Sequence, residues 1–298
     1  MTDGGLLVVG DVVTDVVARH GRALIHGTDT AARIRTLPGG AGANVACWAA
    51  RSGCHDVRLL ARVGADSAVW HRDALRRAGV RCLLAVDDDI PTATVVALVD
   101  SAAERTFLTD SGAVLRLSPD DWSPSMLDGI AHLHLSGYLL FAATSRATAL
   151  LALQEARRRR ITVSVDPASA GFLAELGADR FLASVEGVDL LLPNADEARL
   201  LTGLREPAEA AAELSLQVPR VVVTLGAHGA LLAAAGAVTR RIPAVRMRGA
   251  VDSTGAGDAF TGGFLAARLS GADDASAVAA GCRSGAEAVT TVGGRPGP

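Results

Sequence analysis

Short apolar runs alternate along the chain with longer stretches in which Ala, Leu and Arg recur at helical spacing. Leu6–Gly10 reads as a buried strand, and Val57–Ala61, His132–Ser136, Ile161–Asp166, Asp189–Leu192 and Val221–Thr224 read the same way. Between them Asn44–Ser52, Ser67–Ala78, Ser145–Arg158 and Ala195–Thr202 carry the helical period. Two Ala/Gly-rich helices, Ala256–Leu269 and Asp274–Val289, precede a Gly/Pro tail. This alternation predicts an α/β fold, a mostly parallel central sheet with helices on both faces.

Two segments depart from that rhythm. Val12–Thr36 is β-leaning without a helical period, and Thr92–Asp100 with Glu104–Asp110 reads as a hairpin about a polar turn. Together they predict a small extra sheet outside the main one, either a lid over a site or a surface decoration. No internal repeat or low-complexity linker divides the chain, and its 298 residues suit a single domain spanning 1–298. The Arg157–Arg160 run reads as a solvated helix end that complements the helix dipole.

Composition narrows the chemistry. With a net charge of -3 and 3% aromatic residues, neither a polyanion-binding surface nor a base-stacking nucleic-acid platform is expected. No apolar run reaches membrane-span length, and Met1-Thr2-Asp3 leads into a strand without a basic leader. Cys47, Cys54, Cys82 and Cys282 lack metal-ligand spacing, which fits reduced thiols in a cytoplasmic protein. His132 and His134 alternate along a strand and read as structural. The sequence contains no lysine at all. That excludes the phosphate-loop ATPases and the protein kinases, both of which need a lysine on the phosphates. Any phosphate here must be held by arginine, by metal, or by backbone N–H groups at a helix start.

The sharpest local signal is Asp252-Ser-Thr-Gly-Ala-Gly-Asp-Ala-Phe260. Gly255 and Gly257 flank a turn that opens into an apolar helix, where unpaired N–H groups and the helix dipole make an anion site. Asp258 in the first turn would repel a phosphate if binding were its only task. As a base taking a proton from an attacking hydroxyl it makes sense, a role worth roughly 10²–10⁴-fold in rate; the plainer reading is an acid that supports the helix dipole. The second signal, Pro38-Gly-Gly-Ala-Gly-Ala-Asn-Val-Ala46, brings backbone close to a ligand, and Asn44 offers both a donor and an acceptor at the start of a helix. A glycine loop with an Asn cap is the alternative.

Together the two motifs resemble the ribokinase-like (PfkB) carbohydrate kinases, with a GGxxxN-type loop near the start and DTxGAGDxF near the end. Gly10-Asp11 with Asp15, Val63-Gly64-Ala65-Asp66, Gly79-Val80, Pro193-Asn194-Ala195-Asp196-Glu197 and Thr224-Leu225-Gly226 carry the resemblance along the chain. It implies an ATP-dependent phosphotransferase with Mg²⁺ that acts on a hydroxyl of a small sugar. Asp258 would be the catalytic base, and Gly255, Ala256 and Gly257 the anion hole. Asp11, Asp15, Gly39, Gly40 and Asn44 would bind the acceptor, and Thr224, Gly226 and Asn194 the nucleotide. Asn194 and Glu197 would hold Mg²⁺ through water, although an N-cap with an N3 Glu explains the same pair as a capping box.

The resemblance also places a monovalent cation such as K⁺ at Asp252 with Val289–Gly293, and a β lid in parts of 12–38 and 90–110. Asp166-Pro167 takes a supporting position behind the site. A nucleoside acceptor is the close alternative, with Trp48, Phe107 and Tyr138 as candidate base contacts; a phosphorylated sugar would need Arg33, Arg35 or Arg105 in the pocket. A catalytically silent sugar or nucleotide sensor is the alternative of another class. A homodimer through the lid is a fair expectation; nucleic-acid and membrane partners are not expected.

Overall fold

The computed structural model describes residues 4–101, 105–247 and 249–297. Its strands in chain order are β1 (Gly5–Val9), β2 (Val13–His20), β3 (Ala32–Gly39), β4 (Val57–Gly64), β5 (Val80–Asp87), β6 (Ala93–Val99) and β7 (Arg105–Asp110). Then follow β8 (Ile130–Ser136), β9 (Thr162–Asp166), β10 (Leu190–Leu191), β11 (Arg220–Thr224), β12 (Ala230–Ala234) and β13 (Ala237–Ile242). The helices are α1 (Ala41–Arg51), α2 (Ala68–Arg77), α3 (Ala143–Arg158), α4 (Ala170–Leu176) and α5 (Ala178–Ser184), followed by α6 (Ala195–Thr202), α7 (Pro207–Leu214), α8 (Ala256–Leu269) and α9 (Asp274–Ala288).

Nine strands form the main sheet in the order β13-β12-β11-β10-β9-β8-β1-β4-β5, and four form a separate sheet in the order β3-β2-β6-β7. From β5 through β1 to β11 every pairing is parallel; β12 and β13 add an antiparallel edge. β1 lies at the centre and is apolar throughout because both of its faces are covered. Its side chains alternate between two cores. Leu7 and Val9 join the one beneath α3, α5, α6 and α7; Leu6 and Val8 join the one beneath α1, α8 and α9.

After β1 the chain winds outward through β4 and β5, then returns to the other side of β1 as β8. Open α/β sheets bind ligands at such a reversal, outside the carboxyl ends of the strands. Asp11 follows β1 and Ser136 ends β8, and there Ser136 Oγ donates to Asp11 Oδ1 at 2.8 Å.

The expected alternation holds, with differences at β5, β12 and β13, which the sequence pattern did not separate from their surroundings. Val12–Thr36 supplies most of β2 and β3, so a strand does lead into the glycine loop, but it is largely exposed and polar. Thr94–Val99 pairs antiparallel with Arg105–Asp110, as a hairpin requires; the expected strand start Glu104 lies outside the described residues. Helix α1 begins at Ala41, not at Asn44, because the Asp11 carboxylate accepts the N–H groups of Ala41 (2.6 Å) and Gly42 (3.1 Å). Gly40, with φ 98°, serves as the N-cap, and Asn44 sits one turn inside. His132 and His134 are buried and bonded to Thr162 and Ser164, in keeping with a structural role.

Candidate active site

A cavity of about 740 Å³ opens at the carboxyl ends of β1, β8 and β9, beneath the four-stranded sheet. Asp258, in the first turn of α8, reaches into it beside Gly255, Ala256 and Gly257. Gly255 is the N-cap of α8 with φ 71°, a left-handed conformation that glycine takes without penalty. A Cβ there would also collide with Gly294 Cα. The helix therefore starts with its first N–H groups, which have no intrahelical acceptor, facing the same space as the Asp258 carboxyl.

Asp258 is held by Asn44, whose Nδ2 donates to Asp258 Oδ2 at 2.8 Å. Burial pushes the Asp258 carboxyl up to about 8; the Asn44 bond opposes this, and the charges of Asp166, Asp11 and Asp15 add to it. An acid tuned in this way can take up a proton near neutral pH. Asn44 Oδ1 is buried without a partner among the described residues. The amide therefore retains an acceptor for a hydroxyl or a water.

The other expected acceptor ligands are not equivalent. Asp15, on β2, lines the cavity, and burial pushes its carboxyl up to about 6; Arg295 opposes the rise while Asp11 and Asp252 reinforce it. Gly40 lines the cavity as well. Asp11 is 3% exposed, with both carboxylate oxygens engaged by Ala41, Gly42 and Ser136. Its visible task is to hold the start of α1. Gly39 lies behind the lining, its carbonyl accepting from Arg295 Nη2 at 3.0 Å.

Asn194, Thr224 and Gly226 come together in a second cavity of about 630 Å³, beside Arg199, His228 and Arg241. Asn194 and Glu197 form a reciprocal cap of α6: Asn194 Oδ1 accepts the N–H groups of residues 196 and 197, and Glu197 Oε2 accepts that of Asn194. Burial pushes Glu197 up to about 8, with Asp166 adding to it, and Asp166 is itself pushed up to about 6 by burial. Among the described residues no group of three acids, histidines or cysteines stands ready to chelate a metal. Two raised carboxyls, Glu197 lifted in part by Asp166, suit a hydrated divalent ion held through water, whose charge would favour their ionised forms. Asp252, before α8, accepts from Thr254 and from the Gly293 N–H.

Of the candidate base contacts, Tyr138 and Phe107 line the larger cavity; Phe141 and Phe172, which have no local signal in the sequence, complete an aromatic wall with Tyr138. Phe141 and Phe172 stack at 5.2 Å between centroids, and Tyr138 meets both edge-on. Arg146 and Arg180 also line it. Trp48, by contrast, is buried and donates from Nε1 to the Gly294 carbonyl at 2.9 Å, away from the cavity. Arg33 and Arg35 lie on the exposed strand β3 and do not line it, and the Arg105 side chain lies outside the described residues.

Comparison with known proteins identifies the family and the fold. Residues 4–298 match the family described as pfkB family carbohydrate kinase. A fructokinase of Klebsiella pneumoniae is 33% identical over 277 residues, covering 89% of this chain and 84% of its own. Two solved structures share the fold. An adenosine kinase from Sinorhizobium meliloti has a TM-score of 0.90 at 22% identity, covering 99% of this chain and 96% of its own. A putative ribokinase II from E. coli, in complex with ATP and Mg²⁺, has a TM-score of 0.85 at 24% identity, covering 98% and 94%. The chain belongs to the pfkB family of carbohydrate kinases. It is a sugar kinase by that membership, with the ribokinase-like fold.

Proposed function

We propose that this kinase moves the γ-phosphoryl group of ATP to a hydroxyl of a small ribose- or ketose-like sugar, with Asp258 as general base. The observation that carries the reading is the Asp258 carboxyl, half-buried in the cavity wall, raised to about 8 and held by Asn44 beside the left-handed Gly255 turn. A hydroxyl seated against Asp258 loses its proton as its oxygen bonds to phosphorus; the bond from phosphorus to the bridging oxygen breaks, and ADP leaves. The Gly255–Gly257 turn would offer its N–H groups where charge develops on the transferring group, that of Ala256 leaving the Ser253 carbonyl to which it donates at 3.3 Å. Asp15, Gly40 and Asn44 orient the acceptor, while Asp11 fixes the α1 turn that presents Gly40 and Asn44. Asn194, Thr224 and Gly226 take the nucleotide, with Arg241 supplying cationic charge in a chain without lysine. Mg²⁺, held through water by Asn194 and Glu197, supplies neutralising charge on the phosphates when bound. The four-stranded sheet acts as a lid that excludes water.

One observation favours a nucleoside acceptor as the second reading: the Tyr138, Phe141 and Phe172 wall, faced by Phe107 from β7. A flat base would stack there, whereas a bare pentose would leave the rings wet. A monovalent cation at Asp252 is proposed on the resemblance alone. Exposed Ile34, Phe107 and Leu108 on the edge strands of the small sheet suit pairing of two copies through the lid. The cytoplasm fits four cysteines that are all free thiols, and no helix among the described residues is long and apolar enough to cross a membrane.

The test is ADP release from Mg-ATP with ribose, fructose, 2-keto-3-deoxygluconate, fructose phosphates and nucleosides offered as acceptors. Turnover that depends on an acceptor and is lost in Asp258→Asn supports the reading. Turnover retained in that variant refutes the base, and ATP binding without any acceptor-dependent turnover favours the sensor alternative.

A further inference from the structure

The segment Gly293–Arg295 packs between the start of α8 and the Gly39 end of β3. The Gly293 N–H donates to Asp252 Oδ2 at 3.0 Å, and the Gly294 carbonyl accepts from Trp48 Nε1. Gly294 Cα fills the space that a Cβ on Gly255 would need. Arg295 then turns its guanidinium inward. Nη2 donates to the Gly39 carbonyl, while Nε and Nη1 are buried with no partner among the described residues. A guanidinium with two unmatched donors is costly to bury unless an opposite charge faces it.

The groups around it on each packed element can be named. Cys47 of α1 and Cys82 of β5 are thiols that burial pushes up and so keeps neutral. His71 of α2, pulled down to about 4 by burial and by Arg295 itself, is neutral too, its Nε2 paired with Thr14 Oγ1 at 3.0 Å. Asp15 of β2 is the remaining neighbour, and its carboxylate packs so closely on Gly39 that a Cβ there would collide with it. The charged groups facing Asp15 besides Arg295 are Asp11 and Asp252, both acids. Arg295 is the cation that offsets them.

We propose that Arg295 is a positioning residue for acceptor binding, pinning the Gly39 carbonyl and acting through Gly39 and its own charge on the Asp15 carboxylate that packs there. Arg295 does not line the cavity, so it acts through those two groups. The inference rests on the reading of Asp15 as an acceptor ligand.

The experiment measures KM for acceptor and for Mg-ATP against pH in Arg295→Gln, Arg295→Lys, Asp15→Asn and the Asp15→Asn/Arg295→Gln pair. D-ribose, D-fructose and adenosine serve as acceptors. Without the cation, Asp15 stays protonated to higher pH and binds hydroxyls less well. Arg295→Gln is expected to raise acceptor KM about tenfold at pH 5 and about twofold at pH 7, leave KM for ATP unchanged, and move the acidic limb of acceptor binding up by about one unit. Arg295→Lys restores the limb. At pH 5, on the Asp15→Asn background, Arg295→Gln adds less than about twofold. An unmoved limb, equal rises in both KM values, or full additivity with Asp15→Asn overturns the proposal. Should Arg295→Gln not fold, Arg295→Lys decides: a raised acceptor KM on an unmoved limb supports it, and equal losses in both KM values overturn it. If Asp15→Asn itself leaves acceptor KM unchanged, the underlying ligand assignment falls instead, which is a separate result.

Discussion

Replacing Asn44 with Ala removes the side-chain hydrogen bond that holds the Asp258 carboxylate, the 2.8 Å contact from Nδ2. That bond favours the charged form and opposes the burial that pushes Asp258 up to about 8. A hydrogen bond to a buried charged group is worth about 1.5–3 kcal/mol, and about 1.4 kcal/mol corresponds to one pKa unit, so its loss raises the carboxyl by about one to two units. At pH 7.5 a carboxyl at about 8 is ionised in roughly a quarter of molecules. One unit higher it is ionised in about 3%, and kcat at that pH falls roughly tenfold. The sign is definite: activity needs the deprotonated base, so the loss is greatest at low pH and recovers as pH rises.

The assay is kcat at saturating acceptor and Mg-ATP from pH 6 to 10 in both proteins. Because the same ligands are bound in each, their charges cancel from the difference. Saturation also removes the weaker acceptor binding expected when Asn44 Oδ1 is lost. An acidic limb displaced upward by at least about one unit, with kcat restored above it, is the expected result. A uniform drop with the limb unmoved would falsify the assignment of Asn44 as the group that tunes the base.

Three further predictions follow from the same geometry. Gly257→Ala meets open space at an ordinary backbone angle, so Tm is expected to hold or rise slightly while kcat falls at least about tenfold from a methyl in the phosphoryl position. Gly255→Ala, strained at φ 71° and blocked by Gly294, should lose both Tm and activity; matching behaviour in the two variants counts against the anion hole. Asp258→Asn should raise the ligand-free Tm at pH 8 and leave it nearly unchanged near pH 4. A carboxyl raised to about 8 contributes stability while protonated and loses it between its unfolded value of 3.8 and 8; a Tm difference independent of pH refutes this. Glu197→Gln, by removing an acid that burial and Asp166 raise, should raise the Mg²⁺ concentration needed for half-maximal rate about tenfold with acceptor KM unchanged; an unaltered Mg²⁺ dependence removes Glu197 from the metal's surroundings.

What the sequence disclosed divides along a physical line. Gly255, Gly257 and Asp258 are legible because the chemistry lies in one turn, where glycine spacing, helix onset and an acid are read together. Asn194 with Glu197 is legible for the same reason, a cap written within four residues. The central strands were found because burial on both faces leaves only apolar residues, as in β1, whereas β5 mixes Arg81 and Asp87 into its run and hides its period. Asp11 showed as an acid near the site but not as the cap of α1, a bond made across 30 residues of chain.

The aromatic wall needs Tyr138 and Phe141 to meet Phe172 from another element, and Arg295 reaches Gly39 across 256 residues from a Gly/Pro tail with no period of its own. Local pattern therefore marks the Asp258 turn, whose parts sit on one helix start. Asp15, the aromatic wall and Arg295 come from separate elements, and only the fold brings them near one cavity. On the proposed reading the Asp258 turn would serve any hydroxyl, so discrimination between a sugar and a nucleoside would fall to Asp15 and the Tyr138–Phe141–Phe172 wall, which line that cavity.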